Sequence, residues 1–147
     1  MQFSRILVPV QGEDVDADAV RLACQVAKPP RGKVYAIYVI EVARDLPIDA
    51  ETVSQTEKAQ RVLDHLIRVG KEEGVDVEAD LLQARQAGPA LVEEAFERQA
   101  DLIILGLEYK RRLGTGGLGK FTAYILANAP CKAWVCRDTM PLLGDRH

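Results

Sequence analysis

Aromatic side chains are scarce: Phe, Trp and Tyr together make 5% of the 147 residues. A surface that stacks single-stranded bases needs several exposed aromatics, so that class of nucleic-acid binder is excluded. Positive charge is not in excess either. Lys and Arg number 19 against 22 Asp and Glu, a formal charge of -3 that lacks the basic footprint of a protein bound to nucleic acid. Only two histidines exist, His65 and His147, and neither falls in a Cys, Asp or Ser arrangement that would mark a triad or a metal site. The three cysteines, Cys24, Cys131 and Cys136, are odd in number and without CxxC spacing. This excludes a simple disulfide framework and a zinc signature, and the three are expected to be buried thiols. No apolar run approaches the roughly 18 to 20 residues of a membrane span. Residues 1–5 lead directly into a strand-like segment, so no signal peptide is expected and the chain reads as soluble and cytoplasmic.

What is present is enough apolar residue, 48% against 28% charged, to build one buried core over about one domain's length. Strand and helix signals alternate from end to end. Arg5 to Val10 is a short β-branched run stopped by Gln11-Gly12, as in a strand buried on both faces. Asp14 or Asp16 can cap the helix that follows, which Pro29-Pro30 ends. Val34 to Ile40 is a second strand, and residues 50–73 form the longest helix, closed by Gly74 as its C′ residue. A third, more half-exposed strand is expected over Val75 to Gln83. Pro89 falls in the first turn of a helix through Leu91, Val92, Ala95 and Phe96. Residues 100–105 enter a buried fourth strand, residues 106–118 are a loop, residues 119–128 a helix, and Lys132 to Cys136 a fifth strand. Five strands separated by four helices imply βαβ crossovers and an α/β fold with a mostly parallel sheet covered on both faces. Residues 1–138 form this domain and residues 139–147 a C-terminal tail.

Open parallel sheets bind ligands beyond the carboxyl ends of their strands, where the strand order reverses. Beyond strand four, residues 106–120 hold five glycines and four basic side chains in a chain that is acidic overall. Glycines admit a ligand close to backbone amides, and a helix opening near Gly119 aims its free N–H groups at an anion, so a phosphate is the ligand expected there. Gly114 to Lys120 spells G-x-x-x-x-G-K, but Phe121 stands where a P-loop needs Ser or Thr for magnesium. A P-loop nucleotidase is therefore not expected. Glu13, Asp14, Asp16 and Asp18 read as dipole partners of the first helix rather than a metal site. Trp134 reads as core or interface, and Tyr35 and Tyr38 as packing residues on opposite faces of their strand.

The runs Ile6-Leu7-Val8-Pro9-Val10 and Ala100 to Gly106, the glycine-rich loop, and the ending Ala129 to Arg137 together resemble the universal stress protein family over residues 4–137. The resemblance implies a five-stranded parallel sheet of order 3-2-1-4-5 with helices on both faces. It also implies a homodimer paired through the last strand, and a role in stress responses in which many members bind ATP or AMP and others bind none. The nucleotide-binding members carry G-x2-G-x9-G-S/T. Gly106 and Gly119 match its first and last glycines at the right separation, whereas Tyr109 replaces the middle glycine and Lys120 the hydroxyl residue. Thr122 matches a second hydroxyl position, with Phe121 before it. Gln11 replaces the acid that follows the first strand, two residues after Pro9, and Val39 matches the backbone position that reads the adenine edge. A non-enzymatic regulatory module with a degenerate adenine-nucleotide site at these nine residues is the leading expectation. The alternative is a dimeric, interaction-only module that binds no nucleotide.

Overall fold

In a computed structural model the described residues are 3–27, 32–50, 52–108 and 119–138. The elements run β1 (Arg5–Val10), α1 (Val15–Val26), β2 (Lys33–Glu41), α2 (Val53–Glu72), β3 (Glu78–Ala84), α3 (Ala87–Glu97), β4 (Leu102–Leu107), α4 (Gly119–Asn128) and β5 (Lys132–Arg137). The strands form one parallel sheet of order β3-β2-β1-β4-β5.

Alternation along the strands divides the core into two layers, since successive side chains leave a strand on opposite faces. Ile6, Val8, Val34, Ala36, Leu102 and Ile104 pack on one face against Ala19, Val20 and Ala23 of α1 and Leu63, Leu66 and Val69 of α2. Leu7, Tyr35, Ile37, Ile103 and Leu105 pack on the other against Leu91 and Ala95 of α3 and Ile125 of α4. The central strands are sealed on both faces and therefore read as continuous apolar runs. Trp134 of β5 is half-buried on the α1/α2 side, with its ring edge-on to Phe3 at 5.2 Å. Tyr35 and Tyr38 do lie on opposite faces, and the Tyr35 ring carries Arg98 above it at 4.9 Å.

Several boundaries differ from the sequence reading. Strand β3 begins at Glu78, not Val75, because the end of α2 consumes the chain: Gly74 N–H donates to Lys71 O and Val75 N–H to Gly70 O, a Schellman closure with Gly74 at C′. Gly106 and Leu107 belong to β4, not to the loop, since they pair with Cys136 and Arg137. Helix α2 starts at Val53, three residues later than residue 50. Phe96, on the expected apolar stripe, is 73% exposed, as Leu91 and Ala95 already fill the contact with the sheet. Of the thiols only Cys24 is buried; Cys131 and Cys136, near and in the edge strand β5, are half-buried. Burial, with the charge of Glu73 adding, pushes the Cys24 thiol up to about 11, so it packs as a neutral small hydrophobe. Pro29, Pro30, Tyr109 and the tail at 139–147 lie outside the described residues. Among the described residues no helix is long and apolar enough to cross a membrane.

Candidate functional site

Strands β1 and β4 pair only at Ile6↔Leu102 and Leu7↔Ile103, although both strands run on toward the same end of the sheet. Beyond those pairs they part, at the place where the strand order reverses, and a cavity of about 1190 Å³ opens there. Its walls bring together Pro9 of β1, Gln11 just after it, Val39 of β2, Gly106 of β4, and Gly119, Lys120, Phe121 and Thr122 of α4. These are all the sequence-predicted site residues except Tyr109.

Backbone geometry gives the walls their polarity. The β1–β2 register ends at Val10↔Tyr38, while β2 continues along β3 through Glu41. Among the described residues no strand therefore pairs with Val39 and Ile40 on their β1-side edge, and both line the cavity. Gly106 allows the close approach of α1 to β4: a β-carbon there would lie 3.1 Å from Val15 Cγ1 and 3.3 Å from the Val15 carbonyl. Across the cavity, α4 begins at Gly119 with Lys120 exposed in its first turn and Thr122 buried behind it.

The residue that sequence reading undervalued is Asp16. It is 5% exposed, and its Oδ2 accepts N–H bonds from Gly12 (2.8 Å), Glu13 (3.1 Å) and Gln11 (3.2 Å). It is thus the anchor of the whole β1–α1 turn, not simply a dipole partner, and Asp14 at the N-cap position makes no side-chain cap bond. Gly12 has φ +91°, the left-handed conformation that lets three consecutive amides converge on one oxygen. Burial raises the Asp16 pKa, the three amide bonds pull it back down, and the charge of Glu108 raises it further. Gln11 is held at its tip as well, its Nε2 donating to Glu13 Oε1 at 2.8 Å.

The opposite rim is fastened from β2 and β3. Glu41 Oε2 accepts the Ala87 N–H at the start of α3 (2.9 Å), and the Arg85 Nη1 donates to the carbonyls of Ala43 (2.6 Å) and Leu46 (2.8 Å). Tyr124 of α4 and Gly88 of α3 meet at the same mouth. From α2 comes Lys58, which no local sequence signal marks: a lysine on an exposed helix reads as solvated, and only the topology brings it beside Gly12. The arrangement offers free strand backbone for a flat polar edge, and a helix N-terminus with a cation for an anion.

A family model for the universal stress protein family matches residues 2–137. A universal stress protein of Methanocaldococcus jannaschii is 30% identical over 141 residues, covering 92% of this chain and 82% of the relative. A universal stress protein of Archaeoglobus fulgidus, solved in complex with dAMP, superposes with a TM-score of 0.71 at 20% identity, covering 92% of this chain and 98% of the other. A family protein of Arabidopsis thaliana, solved with AMP bound, gives a TM-score of 0.63 at 14% identity, with 92% of each chain covered.

Proposed function

The chain belongs to the universal stress protein family, and on that premise we propose that it is a cytoplasmic, non-catalytic stress-response module that binds an adenine nucleotide weakly in the β1/β4 cavity. The observation that carries this reading is the cavity itself, which gathers Pro9, Gln11, Val39, Gly106 and Gly119 to Thr122 at the switch point of the sheet. In this reading the adenine edge lies on the Val39 backbone, the ribose near Gln11, and the phosphates at Gly106 and the α4 N-terminus, where Lys120 replaces a hydroxyl with a cation. Relatives solved with dAMP and AMP support the choice of ligand class. Weakness follows from Gln11, which lacks the charge that strengthens a bond to a sugar hydroxyl, and from the ring of Tyr109 in place of a glycine.

Calorimetry with ATP, ADP and AMP tests the proposal. Lys120→Ala should weaken ATP about tenfold or more, the scale of one charged hydrogen bond, and Gln11→Asp combined with Tyr109→Gly should strengthen it. No heat at millimolar ligand from either the wild type or the double variant would leave the interaction-only module standing instead.

The same proposal includes a homodimer joined through β5. Among the described residues this strand pairs only with β4, and an unpaired edge beside an apolar residue such as Val135, 39% exposed, is a liability that strand pairing removes. Sedimentation velocity at tens of micromolar should give a dimer for the wild type and a monomer for Val135→Lys. A monomeric wild type rules this assembly out.

A further inference from the structure

Two cations enter the cavity from opposite faces of the sheet. Lys120 comes from α4, in the layer with α3. Lys58 comes from α2, in the layer with α1. Lys58 lies over the β1–α1 turn, its Cε 3.2 Å and its Nζ 3.8 Å from the point a Gly12 β-carbon would occupy. It is exposed, and no carboxylate among the described residues lies within ion-pair distance of it.

The acids of the cavity are otherwise engaged. Asp16 Oδ2 is occupied by three amides, Glu41 Oε2 by the Ala87 N–H, and Glu13 Oε1 by Gln11 Nε2; Glu108 lines the wall on the β4 side. Gln11, the residue before Gly12 in the turn that Lys58 covers, is an amide at the position whose acid would hold a ribose hydroxyl. An acid at such a corner selects a free sugar hydroxyl, whereas a neutral donor beside a cation accommodates a phosphate ester on that hydroxyl. A phosphate there would accept the second Nε2 hydrogen of Gln11, leaving the bond to Glu13 in place, and supply Lys58 with an anion.

We infer that Lys58 and Gln11 form a second phosphate subsite, so that the cavity selects adenosine carrying a 2′- or 3′-phosphate in addition to its 5′-phosphate. The inference rests on the adenine-nucleotide reading of the cavity and names the class of nucleotide. The two phosphates are expected at the two lysines, one on each face of the sheet.

Calorimetry on the full chain compares 5′-AMP with adenosine 3′,5′-bisphosphate and adenosine 2′,5′-bisphosphate. One of the bisphosphates should bind about tenfold or more tightly than AMP, as expected for one added charged contact. Lys58→Ala should abolish that difference and Lys58→Arg should keep it; an unchanged urea midpoint establishes that the exposed substitutions leave the fold intact. AMP binding with no preference for either bisphosphate overturns this inference alone. A preference that survives in Lys58→Ala overturns it too, and no binding of any of the three removes the nucleotide reading along with it.

Discussion

Asp16→Ala should lower the stability of the fold by roughly 2–4 kcal/mol, because it strips the acceptor from three amides at once. A half-buried N–H left unpaired costs about 1–3 kcal/mol, and the amides of Gln11, Gly12 and Glu13 all converge on Asp16 Oδ2. Water entering from the cavity recovers part of the loss, and removing a buried charge recovers more, which is why the expected total falls below three full penalties. Asp16→Asn keeps an acceptor oxygen and should cost less. The two variants also separate charge from hydrogen bonding through pH. Because burial raises the carboxyl's pKa in the folded state, folding binds its proton more tightly than the unfolded chain does. Its contribution is fully present below the unfolded-state pKa and declines as pH rises through the folded one. Urea midpoints from about pH 3.5 to 7 should therefore fall with rising pH in the wild type relative to Asp16→Asn. A rise instead would mean that the three amides outweigh desolvation and that the carboxyl sits below its ordinary range.

The case of Asp16 also marks where sequence reasoning stopped. The parallel sheet was legible because β1, β2 and β4 are apolar runs sealed on both faces and the helices between them carry stripes such as Leu63, Leu66 and Val69, whereas the strand order came only from the family resemblance. The cavity end of the sheet was legible because a parallel sheet opens beyond the carboxyl ends of its strands where their order reverses, and Gly106 and Gly119 to Thr122 line that opening. Asp16 was not, since four acids at 13, 14, 16 and 18 are equivalent as sequence, and only the left-handed Gly12 decides which of them the chain folds back onto. Lys58 was invisible for another reason. It lies 46 residues from Gly12, and nothing local distinguishes it from Lys71 on the same helix. The start of β3 was misjudged because Val75 and Val77 continue the alternation of the strand, while the backbone at Val75 is still bonded to α2.

Gly70 offers the second large effect, and its sign runs against helix propensity. In an exposed helix interior Gly→Ala gains about 0.8–1 kcal/mol. A β-carbon on Gly70, however, would be driven into Val77 Cγ2 and would stand 2.9 Å from the Val75 carbonyl. Neither can give way easily, for Val77 is buried and β-branched and Val75 is tied by its N–H to the Gly70 carbonyl. Overpacking of this kind costs about 1–3 kcal/mol or more, so Gly70→Ala should be destabilising by about 2 kcal/mol net and should loosen the return of the chain from α2 into β3. Gly88→Ala is the contrasting case. There the added carbon would meet Tyr124 at Cδ1 (2.7 Å), Cγ (3.0 Å) and Cβ (3.4 Å); the exposed ring can turn but the root of the side chain must also give, so the loss should be smaller than at Gly70, about 1 kcal/mol. Urea unfolding of both variants, with Val77→Ala added to Gly70→Ala, separates the two effects. Relief of the clash predicts that the double variant loses less than the sum of its single changes, whereas strict additivity, or a neutral Gly70→Ala, would mean that the α2 terminus yields and Gly70 is not the contact that sets where β3 begins.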